Sequence, residues 1–153
     1  MRIVVVEDEA PIREGMAKLL SKINPEYELV GKAADGEAGY QLIRELNPDL
    51  VIMDIRMPKM DGIAMMKKLR EENIKCKAII LSAYSEFQYA QKAIELKADS
   101  YLLKPIKIPE LKSSLKTGRE RNLRGSGDRA DFFRGKYYVG LYAWSGAPEF
   151  TIK

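Results

Sequence analysis

Asp54 closes an apolar run, Leu50-Val51-Ile52-Met53. A second run, Ile3–Val6, ends in Glu7, Asp8 and Glu9; a third, Ala78–Leu81, ends in Ser82; a fourth, Tyr101–Leu103, ends in Lys104 and Pro105. In an open parallel sheet the carboxyl ends of the strands share one edge, and ligands bind there. Glu7, Asp8, Asp54, Ser82 and Lys104 are therefore expected to converge. A carboxylate can attack a phosphoryl group to give an acyl phosphate. The barrier is mainly charge repulsion, which positive charge and positioning relieve. Magnesium suits such a place, being a hard, octahedral ion usually held by one or two carboxylates with phosphate oxygens and waters. In this reading Asp54 is the nucleophile and a metal carboxylate, Asp8 ligates directly and Glu7 helps through water. Lys104 pairs with one phosphate oxygen and Ser82 hydrogen-bonds another. Each residue alone has a plain explanation, such as a solvated loop start or a turn, so the reading rests on the shared edge.

The elements that must position these groups alternate strand with helix from residue 2 to about 118. Pro11 opens a first helix, whose apolar face is Ile12, Met16, Leu19, Leu20 and Ile23 at helical spacing. Asn24-Pro25 ends it. Tyr27–Ala33 reads as the second strand. Asp35 is placed to cap a second helix with Ala38, Leu42, Ile43 and Leu46 inward, closed by Asn47-Pro48. Asp61 is placed to cap a third, with Ile63, Met66 and Leu69 inward. A fourth carries Phe87, Ala90, Ile94 and Leu96, and Pro109 opens a fifth with Leu111 and Leu115. Alternating strands and helices imply a parallel sheet covered on both faces with right-handed crossovers. The expected fold is α/β, a flavodoxin-like (βα)5 three-layer sandwich with strand order 2-1-3-4-5. That order sets strands 1 and 3 side by side at the switch point. Lys104-Pro105 is expected to be cis: an X–Pro bond allows it, and a cis turn would aim Lys104 back over Asp54.

The bulk properties are those of one soluble domain, with 153 residues, 46% apolar and 31% charged. There is no histidine, which removes imidazole bases and imidazole metal sites, and the single cysteine, Cys76, cannot form an internal disulfide. The first apolar run is too short for a signal peptide, and no segment approaches the roughly 20 apolar residues of a membrane span. A cytoplasmic protein without a membrane partner is expected. The net charge is +4. Residues 1–118 hold 19 basic and 18 acidic side chains, whereas 119–153 hold 7 and 4, so the tail is the basic part. Gly125-Ser126-Gly127-Asp128 reads as a linker, and residues 132–144 then hold 6 of the 13 aromatics. The expected division is a domain over 1–118 and a basic, aromatic-rich tail or linker over 119–153.

The chain resembles the receiver domain of two-component response regulators over about residues 1–118. The resemblance is carried by Val5-Val6-Glu7-Asp8-Glu9, Val51-Ile52-Met53-Asp54-Ile55-Arg56-Met57-Pro58-Lys59-Met60-Asp61-Gly62, Ile80-Leu81-Ser82-Ala83-Tyr84 and Asp99-Ser100-Tyr101-Leu102-Leu103-Lys104-Pro105. It implies that Asp54 accepts a phosphoryl group from the phosphohistidine of a sensor histidine kinase. Glu7 and Asp8 match the acidic metal pair, and the backbone carbonyl of Arg56 matches a further metal ligand. Ser82 and Tyr101 match a switch pair, Lys104 the phosphate-binding lysine, and Ala83 the small residue that leaves room for the phosphoryl group. A cis Lys104-Pro105 bond is implied as well. The stretch Leu81–Ala90 resembles a subgroup whose full-length members carry a helix-turn-helix of the arabinose-regulator type. Lys97 stands where the family often has Gly at a left-handed helix end.

Phosphorylation is expected to draw Ser82 inward, let Tyr101 turn from exposed to buried, and remodel the face of the fourth helix, fifth strand and fifth helix. The output is then transcription, through a homodimer formed on that face. This chain alone, nearly neutral over its body and without a recognition helix, is not expected to bind DNA sequence-specifically. It is expected to act as a signalling domain rather than an enzyme. A haloacid-dehalogenase-type aspartyl-phosphate hydrolase is a rival, but that family needs a second Asp where Arg56 stands. A receiver-like module that is not phosphorylated is another, against which stand the intact acids and Lys104.

Overall fold

In a computed structural model, residues 1–83 and 87–124 are described, with the backbone alone for Phe87 and 117–124. Tyr84, Ser85, Glu86, the Phe87 side chain and the aromatic segment 132–144 lie outside the described residues. The order of elements is β1 (Arg2–Val6), α1 (Ala10–Ile23), β2 (Glu28–Ala33), α2 (Gly36–Leu46), β3 (Leu50–Asp54), α3 (Gly62–Glu71), β4 (Lys77–Ser82), α4 (Phe87–Glu95), β5 (Ser100–Leu103) and α5 (Ile108–Arg124). The five strands form one parallel sheet in the order β2-β1-β3-β4-β5. This is the flavodoxin-like order expected from the sequence.

The sheet is covered on both faces, so its strands bury alternate residues into two separate clusters. Val4, Val6, Val51, Met53, Ala78, Ile80 and Tyr101 meet Tyr40 and Ile43 of α2, Met65, Met66 and Leu69 of α3, and Ala93 of α4. Ile3, Val5, Leu50, Ile52, Ile79, Leu81 and Leu102 meet Met16 and Leu20 of α1 and Leu111 and Leu115 of α5. Helices α2, α3 and α4 thus lie on one side, and α1 and α5 on the other.

The helix ends follow local chemistry. Asp35 and Asp61 accept hydrogen bonds from the amides of Ala38 and Ala64, as N-caps do. Asn47 ends α2 in the left-handed region, with φ 47°. Lys97 also lies there, with φ 60°, at the turn where the sequence departs from the family's Gly.

Several sequence expectations shift. Ala38 is exposed, and Gly39 takes the inward place because a Cβ there would lie 2.7 Å from Val6. In α4, Ile94 is 44% exposed; the inward stripe is Tyr89, Ala90 and Ala93, continued by Leu96 just past the helix end. Tyr27 is buried, but strand pairing starts at Glu28. Helix α5 runs through residue 118 to Arg124. Among the described residues, no helix is long and apolar enough to cross a membrane.

Candidate functional site

The switch point falls between β1 and β3, where Val6 pairs with Met53. The residues that follow them, Glu7 and Asp54, therefore leave the sheet side by side. Glu7, Asp8 and Asp54 each offer a carboxylate oxygen within 4.8 Å of the others. Glu7 is 1% exposed and Asp54 7%, while Asp8 faces solvent. The backbone of this acidic segment is tied on two sides. Glu7 donates its amide to the Ala33 carbonyl at 3.0 Å, and Arg13 of α1 donates to the Glu7 carbonyl at 2.7 Å.

Lys104 reaches this cluster from the loop after β5. Its backbone amide donates to the Ser82 carbonyl at 2.8 Å, and the Lys104–Pro105 peptide bond is cis. Its Nζ lies 3.0 Å from Asp54 Oδ2, 2.9 Å from Glu7 Oε2 and 3.6 Å from Glu9 Oε2. The other Asp54 oxygen, Oδ1, accepts from the Ile55 amide at 2.7 Å. Asp54 is thus held by one donor on each oxygen, leaving further lone pairs open.

Burial pushes the Glu7 carboxyl up to about 7, with the Asp54 charge adding to the rise and Lys104 opposing it. Burial alone would pull the Lys104 ammonium down, but its contacts with Glu7 and Asp54 outweigh that and hold it above its ordinary value. Glu7 Oε2 is buried, and among the described residues the ammonium of Lys104 at 2.9 Å is the one cation set against it, so two buried carboxylates share a single lysine. Three carboxylates against one lysine leave negative charge that a hard cation would balance, and the all-oxygen donor set of Glu7, Asp8 and Asp54 is the kind that such ions take. The residues present fit a divalent cation.

The other sequence-chosen residues sit around this centre. Ser82 ends β4 next to β3 and is fully buried; Ala83 follows it and is exposed. Tyr101 lies on β5 opposite Ile80. Its ring is 2% exposed, so the structure shows the inward position rather than the exposed one from which the sequence reading started. Arg56, two residues past Asp54, is exposed and turns its side chain to Tyr89 of α4.

Two glycines were not singled out by sequence reasoning. A Cβ on Gly62 would lie 2.1 Å from the Asp54 carbonyl oxygen, and one on Gly36 would lie 1.9 Å from the Met60 carbonyl oxygen. The Gly62 amide also donates to the Ile55 carbonyl. The loop 55–61 is thereby pressed between the end of β3 and the first turn of α2. The signal available in the sequence was Asp61-Gly62 and Asp35-Gly36, each a cap followed by glycine.

The fold and site together define an open α/β domain that gathers carboxylates and one lysine at its switch point. Residues 3–116 match the response regulator receiver domain. The chain is 38% identical over 130 residues to an uncharacterized response regulatory protein of Vibrio cholerae, covering 83% of this chain and 49% of that protein. It is 36% identical over 114 residues to the uncharacterized transcriptional regulatory protein YesN of Bacillus subtilis, covering 74% of this chain and 31% of that protein. The receiver domain of AraT, a response regulator from Geobacillus stearothermophilus, superposes with a TM-score of 0.70 at 35% identity, covering 82% of this chain and 98% of that one. The chain belongs to the response regulator receiver family, whose members are phosphorylation-dependent signalling switches of two-component systems. It spans about half or less of the length of these two curated relatives.

Proposed function

We propose that Asp54 is the phosphoacceptor of this switch and that a sensor histidine kinase is the donor. The observation that carries this is the placement of Lys104 Nζ, 3.0 Å from Asp54 Oδ2 in a cluster of three carboxylates. An Asp54 oxygen attacks phosphorus, the nitrogen–phosphorus bond of the kinase phosphohistidine breaks, and the electron pair leaves with the imidazole, which takes a proton. Lys104 moves from a carboxylate oxygen to a phosphoryl oxygen without leaving its ion-pair setting, and its raised pKa keeps it charged. Ser82 donates its hydroxyl to another phosphoryl oxygen, a charge-assisted bond stronger than a neutral one. Ala83 leaves the space open. Magnesium, held by Glu7, Asp8, Asp54 and the Arg56 carbonyl, would supply positive charge against the phosphoryl oxygens.

Ser82 and Tyr101 form the switch pair. Phosphate biases an existing equilibrium by its differential affinity for the two states, so a phosphoryl group that draws on Ser82 favours the buried ring. The face so adjusted is α4-β5-α5. It exposes Ile94, Leu103 and Ile108, one large apolar residue from each element, which favours it as a homodimer surface. The output is transcription through a helix-turn-helix of the arabinose-regulator type joined to this domain. The domain proper is residues 1–118 together with the rest of α5 to Arg124, so the tail or linker begins after that helix rather than at 119. By itself the chain catalyses its own phosphotransfer and slow dephosphorylation, binds no DNA sequence-specifically, and works in the cytoplasm.

Intact mass after incubation with magnesium and acetyl phosphate tests the central step. One added phosphoryl group on the wild type and none on Asp54→Ala is the expected result. Equal labelling of the two overturns it.

A further inference from the structure

We propose that Arg56 ties the segment beside Asp54 to helix α4 through Tyr89, and that a phosphoryl group on Asp54 competes for its guanidinium and so loosens α4. The inference rests on the reading of Asp54 as the phosphoacceptor.

Arg56 follows Asp54 by two residues, so their Cα atoms are at most about 7 Å apart. Its Nε donates to the Tyr89 hydroxyl at 3.3 Å, and its guanidinium carbon lies 5.9 Å from the centre of the Tyr89 ring. Both contacts are at the weak end of their kinds: such hydrogen bonds centre near 2.9–3.0 Å, and ring contacts fade beyond about 6 Å. The arginine side chain is exposed, so water screens the tie further. A phosphoryl group is a far better partner. The guanidinium fork matches two phosphate oxygens at once, and the bond would be charge-assisted rather than made to a neutral phenol.

A weak tie matters here because, among the described side chains, few large ones hold α4. Its inward residues include Ala90 and Ala93, with Tyr89 only partly buried, as is Leu96 just past its end. Among the described residues Tyr89 is thus a large side chain of α4 that packs against the core. A change at its hydroxyl acts on the helix through its own packing. The side chain of Arg56 has a positioning role in this account: it transmits the state of Asp54 once the phosphoryl group is in place, whereas its backbone carbonyl belongs to the proposed metal shell.

Hydrogen exchange of peptides covering Phe87–Glu95 tests this on the full chain, in the wild type, Arg56→Gln and Tyr89→Phe. Tyr89→Phe keeps the ring and removes the hydroxyl. Samples are compared before and after magnesium and acetyl phosphate, with intact mass giving the extent of labelling. Before treatment, both variants should exchange about two- to fivefold faster over α4 than the wild type, the factor expected for one modest hydrogen bond. After equal labelling, the wild type should rise to the level of the variants, and the variants should change little. Wild-type exchange in both unmodified variants, or a full response in them on labelling, overturns the tie. A wild type that takes no label overturns the reading of Asp54, while the unmodified samples still decide the tie: faster α4 exchange in both variants upholds it, and unchanged exchange removes it.

Discussion

Helices α2 and α3 lie on the same sheet face as α4, yet they are held differently. Behind α2 and α3 stand Tyr40, Ile43, Met65, Met66 and Leu69, all buried. Gly36 and Gly62 then let the first turns of these helices press against backbone. Among its described side chains, helix α4 offers Ala90, Ala93 and the partly buried Tyr89 to the same sheet and leaves Ile94 in water. The larger side chains bury more apolar area, and buried apolar area sets how firmly a helix is held. The firm half abuts the loop 55–61 that follows Asp54. The loose half shares its core cluster with Tyr101. A site that must bind a cation needs fixed oxygens, and a switch needs an element of low local stability.

Truncation should separate the two halves most sharply. Met65→Ala removes a fully buried side chain and should cost about 2–5 kcal/mol, read by urea denaturation. Ala93→Gly should cost about 1 kcal/mol, mainly through helix propensity. Costs in the reverse order would break the comparison.

The glycine contacts come next. Gly62→Ala puts a methyl against the Asp54 carbonyl and should cost about 1–3 kcal/mol, as overpacking does. It should also weaken magnesium binding, measured by calorimetry, because the end of β3 must move. Gly36→Ala acts one layer further out, on Met60, and should weaken binding less. Unchanged magnesium affinity in Gly62→Ala would show that the loop does not locate the oxygens.

Much of this was legible in the sequence, for physical reasons. Strands buried on both faces read as unbroken apolar runs, so Ile3–Val6, Leu50–Met53 and Ala78–Leu81 marked themselves. Their polar terminators then gave the shared edge. Asp35 and Asp61 declared two helix starts through cap chemistry. Gly36 and Gly62 stayed silent because their partners, Met60 and Asp54, are set by tertiary approach. On α4, Ala90 was placed correctly, but Ile94 was misjudged and Ala93 missed, because alanine carries a weak hydrophobic signal and isoleucine a strong one. The Arg56–Tyr89 contact spans 33 residues, which no local pattern reveals. Arg13 likewise gave no hint that its side chain would hold the Glu7 carbonyl.

A pH dependence is expected at the acidic edge beside the firm half. Glu7 is raised from 4.5 to about 7 by burial. A raised folded-state pKa means that the neutral form is favoured in the fold. Its stabilising contribution is full below about pH 4.5 and is lost as pH rises through 7. The magnesium-free protein should therefore lose some thermal stability between pH 5 and 8. Glu7→Gln should flatten that slope. An equal slope in the variant would place its cause elsewhere.

The most direct test of the account is where the phosphoryl group resides. After incubation with magnesium and acetyl phosphate, peptide mapping should find one acyl phosphate, on Asp54. It should be labile to neutral hydroxylamine and absent when magnesium is chelated. A stable phosphate on Ser82, or a label that persists at full level in Asp54→Ala, would contradict it.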